Sequence, residues 1–184
     1  MENYKSSLDI SGTILYSSLM NTSIKTVTVA GTITYKLYGL LHREDGPAIE
    51  YAVGDKHWFK NGVYHREDGP AAEYADGYKH WFVNGKAHRE DGPAVEYADG
   101  TKEWWLNGQR HREDGPASEY ADGAKFWYRN NKLHREDGPA IELASGTKEW
   151  WLNGKRHREA GPAMENANGD SRWYLNGDHI KTPN

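Results

Sequence analysis

From residue 33 to residue 177 the chain alternates between two kinds of segment. Runs of four to six residues rich in Tyr and Trp read as short strands, and the polar stretches between them read as turns. The turns carry two signatures. Asn-Gly at 61, 84, 107, 153 and 176 is the strongest short hairpin signal, because both central residues of a type I′ turn need positive φ. Asp-Gly at 76, 99 and 122 is the second; Ser145-Gly146 and Asn168-Gly169 replace it later, and Val53-Gly54 stands in its place earlier. The pattern predicts two strands per unit in an antiparallel meander.

The spacing is strict. The heptapeptide HREDGPA occupies residues 42–48 and recurs from 65, 88, 111 and 134, and as HREAGPA from 157, so the period is 23 residues with no insertion. A Trp keeps the same step at Trp58, Trp81, Trp104, Trp127, Trp150 and Trp173, and the next residue is always aromatic. An Asn follows three residues after each Trp, and a Gly follows each Asn except where Asn131 replaces it.

Charge pairing predicts the register of both hairpins. A two-residue loop at Asn107-Gly108 sets Trp104 opposite His111, Glu103 opposite Arg112 and Lys102 opposite Glu113, and the Glu–Arg pair recurs at Glu149 and Arg158. A three-residue loop there opposes Lys102 and Arg112, a like-charge pair that costs stability. At Asp99-Gly100 the preference reverses. A two-residue loop opposes Glu96 and Glu103, whereas a three-residue loop over 98–100, with Gly100 left-handed, opposes Glu96 and Lys102. The same Glu–Lys offset recurs at 50 and 56, 73 and 79, 119 and 125, and 142 and 148.

A His, an Arg and two carboxylates side by side have the look of an active site, yet six copies argue for structure. In this reading the His faces a Trp, and Arg and Glu face polar neighbours. Asp bonds the turn backbone, Gly takes an unusual φ, and Pro removes a donor where pairing stops. Strands lie about 4.8 Å apart, so equivalent residues of adjacent units are about 10 Å apart. Two such His cannot share one zinc at about 2 Å each. No catalytic residue, metal ligand or cofactor is expected. No phosphate loop leads into a helix, and no nucleophile elbow is present.

Composition narrows the class. The 184 residues include 20 Gly, eight Trp and only three Phe, which favours tight turns joining aromatic strands. There is no Cys, so no disulfide or thiolate chemistry is available. The net charge of −4 gives no basic field, so nucleic acid is not an expected partner. No signal peptide or apolar spanning run is evident, and a cytoplasmic location is expected.

The stretch WWLNGQRHREDGPASEYADG, residues 104–123, resembles the membrane occupation and recognition nexus (MORN) repeat. The shared features are an aromatic, a turn Gly, a His, a further Gly and an Asp-Gly before the next unit. The resemblance covers roughly residues 33–177 and departs in one place, with His-Arg-Glu-Asp-Gly-Pro-Ala standing where the family has His-Gly-x-Gly. It implies an all-β, elongated single-layer antiparallel meander of stacked hairpins, and a scaffold that binds proteins, sometimes lipids, and self-associates. About a dozen repeat strands at strand spacing give a sheet roughly 60 Å long.

Residues 1–32, rich in Ser, Thr and small apolar residues, are expected to form a β-rich N-terminal cap or an oligomerisation arm. Residues 33–177 form the array of about six repeats, and 178–184 a short frayed tail. The expected function is non-enzymatic: a scaffold that binds a protein partner through an aromatic and charged face. Trp81, Arg89, Trp104, Arg112, Trp127 and Arg135 are the candidate binding residues. A homodimer is a further expectation, because rings on both faces call for a second layer. The competing reading is a viral or mobile-element inhibitor that sequesters a host protein, or a small anionic ligand or lipid, on the Trp and Arg rows.

Overall fold

The computed structural model describes residues 4–8, 14–18 and 21–181, with side chains from residue 24 onward. No helix occurs among the described residues, and none is therefore long and apolar enough to cross a membrane. Contacts divide the chain into two compact units, Met1–His88 and Arg89–Asn184. Each is an antiparallel meander of short hairpins, the all-β class that the sequence predicts.

The first unit opens with four longer strands, Tyr4–Leu8, Ile14–Ser18, Asn21–Val27 and Ile33–Leu37, each antiparallel to the next. Ile33–Leu37 also pairs with Ile49–Glu50, so the N-terminal strands run directly into the repeats. At the other end, Asp178–Ile180 pairs with Trp173–Leu175, which corrects the expectation of a frayed tail for those three residues. Residues 182–184 lie outside the described residues.

Both turn readings hold. Leu106 pairs with Gln109 across a two-residue loop in which Asn107 and Gly108 have φ of 51° and 81°, the type I′ signature. The other hairpin closes with Tyr97 donating to the carbonyl of Thr101, leaving residues 98–100 as the loop. Gly100 has φ of 91° there, which an L side chain resists. Glu96 consequently faces Lys102, and the offset repeats at Glu50–Lys56, Glu73–Lys79, Glu119–Lys125 and Glu142–Lys148. Lys56, Lys102, Lys125 and Lys148 each also face a Glu of the next repeat, as Lys102 faces Glu119.

The predicted continuity of the strands is wrong. At Trp58, Trp81, Trp104, Trp127 and Trp150 the strand breaks into two-residue pieces, for example Lys102–Glu103 and Trp105–Leu106, whereas Ser171–Leu175 runs unbroken through Trp173. Lys102–Glu103 pairs forward with Ser118–Glu119, while Trp105–Leu106 pairs with Gln109–Arg110. Trp104 is the junction: its N–H donates to the carbonyl of Ala117, and its carbonyl accepts from the N–H of His111. Trp104 and His111 are paired as predicted, but the hairpin register stops there. Glu103 therefore does not face Arg112, nor Lys102 Glu113, and Glu149 does not meet Arg158. Partners change because a backbone N–H at a chain corner takes whichever carbonyl the next repeat presents. The Ala of each heptapeptide packs under this corner; Ala48, Ala71, Ala94, Ala117, Ala140 and Ala163 are all fully buried.

Candidate functional site

The heptapeptide is the one constellation of chemistry-bearing side chains in every repeat, and each residue in it has a structural task. The His comes first. The backbone N–H of Asn61, in its left-handed turn, donates to Nδ1 of His42 at 3.1 Å. The contact recurs from Asn84 to His65, Asn130 to His111, Asn153 to His134 and Asn176 to His157. The same Nδ1 also lies 2.9 Å from Asn61 Oδ1 in His42, 2.8 Å from Asn130 Oδ1 in His111 and 3.0 Å from Asn176 Oδ1 in His157, while Nε2 faces the carboxylate two residues on, as in His134 and Glu136 at 3.3 Å. Each imidazole thus caps the hairpin turn of the following repeat.

The Arg is held more tightly. Arg112 Cζ lies 4.0 Å from the centre of the Trp104 ring. Its Nε donates to Asp114 and its Nη1 to both the carbonyl of Pro116 and Glu119. The same seat holds Arg66 on Trp58, Arg135 on Trp127 and Arg158 on Trp150. Tyr35 takes the Trp position under Arg43. Arginine bound in this way holds Asp68, Asp91, Asp114 and Asp137 below the usual carboxylate range. The guanidinium thus covers the Trp face, with cation–π attraction of about 0.5–2 kcal/mol.

The Gly has a different reason from the one its neighbours suggest. None of Gly46, Gly69, Gly92, Gly115, Gly138 and Gly161 has positive φ. A Cβ at Gly138 would lie 2.8 Å from Arg135 Cζ. The residue is glycine because the guanidinium is clamped between it and the Trp. Gly138→Ala is expected to lose about 1–3 kcal/mol through this overpacking, read as a lower urea midpoint. An Arg135→Ala/Gly138→Ala double variant should show a strongly non-additive cost, because the clash needs both groups.

The candidate binding residues fall as follows. Trp104 with Arg112, and Trp127 with Arg135, are stacked pairs in the second unit. Arg89 opens that unit and is bound to Asp91, Pro93 and Glu96. Trp81 lies in the first unit, where its carbonyl accepts from the N–H of His88. The Trp rings are half-buried and the guanidinia are spent on internal partners. The heptapeptide side chains that face outward are acidic. The side chains of Glu44, Glu67, Glu113, Glu136 and Glu159 are 75–86% exposed. In the first unit an open groove of about 840 Å³ runs between consecutive heptapeptides, lined by Asp45, Trp58, Lys60, His65, Glu67 and Asp68 among others.

A second cluster was not anticipated. Glu103 is buried, with Oε1 accepting from Arg110 and Oε2 from the Trp105 indole, both at 2.9 Å. The Arg110 guanidinium lies between the rings of Trp105 and Tyr128. Glu149, Trp151, Arg156 and Tyr174 repeat the arrangement two units later. Its signal was present as matching stretches TKEWWLNGQR and TKEWWLNGKR, 46 residues apart, but the pairing of Glu with the Arg seven residues on needs the corner at Trp104.

Among the described residues, no group of three or more His, Cys, Asp or Glu is placed to hold a metal ion. The geometry offers a row of structural clamps with an acidic outer rim. No protein-family model matches the chain, and no curated protein matches it in sequence.

Proposed function

We propose that the protein is a non-catalytic repeat scaffold that binds a protein partner along the acidic outer rim of its heptapeptides. The observation that carries this reading is the saturation of each heptapeptide. His caps a turn, Arg fills a ring-and-carboxylate seat, and only carboxylates are left facing solvent. A rim of one charge sign selects a partner of the other, here a polypeptide rich in Lys and Arg. The repeated hairpins fit a MORN-like arrangement, and the scaffolding role of that family points the same way.

Capture of a small anion on the Trp and Arg rows is less well supported. A guanidinium that already meets a ring, two carboxylates and a carbonyl has little left to offer an anion. Native mass spectrometry of gently purified protein separates the two. A bound polypeptide that is lost in Glu67→Lys/Glu113→Lys/Glu136→Lys, with the fold retained, supports the scaffold. A small-molecule adduct that survives those changes and is lost in Arg112→Ala would sink it. Deleting one 23-residue unit should weaken partner binding stepwise rather than abolish it, because each repeat contributes through its neighbours.

A further inference from the structure

Alternate residues of a strand point to opposite faces of the sheet. In the second unit Glu96 and Glu119 turn to Arg89 and Arg112, so Tyr97 and Tyr120 belong to the other face, away from the arginine clamps. On that face one row crosses the strands beside the bulged loops, in the order Tyr97, Thr101, Tyr120, Ala124, Leu143. The order follows from the backbone: the N–H of Tyr97 donates to the carbonyl of Thr101 and that of Tyr120 to Ala124, while Thr101 Oγ1 accepts from the N–H of Ala121. The row alternates in size. Tyr97, Tyr120 and Leu143 are 40%, 41% and 37% exposed, whereas Thr101 and Ala124 between them are each 6% exposed. The large residues are ridges, and the small ones floor the furrows that separate them.

The step of the ridges is set by the sheet. Glu96 faces Lys102, Lys102 faces Glu119, Glu119 faces Lys125 and Lys125 faces Glu142, so consecutive ridges are two strands apart. Two strand spacings of about 4.8 Å put them about 9.6 Å apart. A polyproline II helix has about three residues per turn and rises about 3.1 Å per residue, so it repeats every ~9.3 Å. One such helix laid across the strands presents the same side to each ridge in turn. The margin of the row is charged. Asp99 and Asp122 are exposed in the two loops, and Oδ1 of each accepts the N–H of the furrow residue, Thr101 or Ala124. That bond fixes one carboxylate at the mouth of each furrow.

We propose that this row is a second binding site, which takes a proline-rich, basic segment of a partner protein in the polyproline II conformation. Proline rings fill the furrows over Thr101 and Ala124, between Tyr97, Tyr120 and Leu143. Arg or Lys side chains on the flank of the helix meet Asp99 and Asp122. The segment is extended before it binds, so little ordering entropy is lost. Contact with the exposed rings gives the affinity, and the carboxylate pair selects a cationic occupant over a neutral one such as a glucan chain. The site does not use the exposed Glu rim of the heptapeptides, and either can stand if the other fails.

The probe is a synthetic peptide of three Pro-Arg-Pro units, compared with three Gly-Arg-Gly units of the same charge. Each is titrated into the full chain, with peptide affinity and the ring resonances of Tyr97 and Tyr120 as readouts. The proline peptide is expected to bind and to shift both rings, and the glycine peptide to bind about tenfold more weakly. The array supplies its own replacements, Asn166 at the Tyr position and Asn168 at the Asp position. Tyr97→Asn/Tyr120→Asn should weaken the proline peptide about tenfold. Asp99→Asn/Asp122→Asn should weaken it too and flatten its salt dependence. Equal affinity of the two peptides, or unshifted tyrosine rings, overturns the proposal. So does binding that survives the tyrosine changes and is lost in Glu67→Lys/Glu113→Lys/Glu136→Lys, which would assign the peptide to the acidic rim. A β-1,4-linked glucose hexamer that shifts the two rings where the proline peptide does not would overturn it in favour of a glycan.

Discussion

Arg110→Leu is expected to destabilise the second unit by about 3–5 kcal/mol, the cost of stranding one charge of a buried pair. The Glu103 side chain is 5% exposed and its partner Arg110 33% exposed, at an N–O distance of 2.9 Å. Once the guanidinium is gone, Glu103 keeps only the Trp105 indole as a donor. Its charge then sits in an environment built to be neutralised. The remedy is already written in the chain. At the same two positions one repeat later stand Phe126 and Leu133, and Phe126 pairs with Ser118 and Ile141 in the same register. Glu103→Phe/Arg110→Leu should therefore recover most of the loss, since well-packed apolar residues replace a buried ion pair at little cost. Urea unfolding of the three variants checks this. If the double variant is as unstable as Arg110→Leu alone, the damage comes from lost ring packing and not from the stranded carboxylate.

The second large effect is a loss of stability in acid, centred on the first unit. His57 and His80 flank Ala72 on one face of the sheet. Each has its Nδ1 beside a tyrosine hydroxyl, Tyr64 and Tyr78 respectively, and each has a buried Nε2 without a partner. Rings crowd them: Tyr51, Tyr64 and Tyr74 around His57, and Phe82 at 3.8 Å from His80. Burial pushes both imidazoles down, His80 to about 4, with the Asp55 charge only partly offsetting the shift at His57. A depressed His pKa means that protons favour the unfolded chain. Stability is complete above pH 6.5 and falls as pH drops from there towards 4, where His80 itself titrates in the folded state. His80 alone accounts for at most about 3 kcal/mol, less whatever solvent screens from its partly exposed ring.

His80→Phe, which borrows the residue found at Phe126, should flatten that slope while leaving the neutral-pH stability little changed. Denaturation at pH 7, 5.5 and 4.5 is the measurement, and a slope unchanged in the variant would remove His80 as its cause. The arginine-bound aspartates act in a different window. Their lowered pKa values give stability that is present above the usual Asp range near 3.8 and is lost below it. The two effects therefore separate on the pH axis.

The six heptapeptides show where reading a sequence succeeds and where it stops. The period, the two turn types, the left-handed Asn107 and Gly100, and the Glu96–Lys102 offset all follow from residues within a few positions of one another. The type I′ turn follows from the ease with which Asn-Gly takes positive φ at both positions, and at the bulged loop one register avoids opposing Glu96 and Glu103, so local chemistry settles them. Asn131 shows the same logic: with no Gly available, a second Asn takes φ of 62° and its side chain accepts from the N–H of Arg110.

The sequence alone did not give the partners of His, Arg and Gly. Reading one hairpin in isolation paired Glu103 with Arg112, but the strand leaves that ladder at Trp104, whose N–H is taken by Ala117 in the next repeat. That single exchange sends Arg112 to Trp104 and Glu119, leaves Glu103 to Arg110, and makes the heptapeptide Gly a matter of space instead of φ. The turns and registers were determined by the sequence because steric and charge rules act between near neighbours. The clamps, the buried carboxylates and the acidic rim were decided by tertiary structure, because each depends on which distant carbonyl or ring the neighbouring repeat brings within reach.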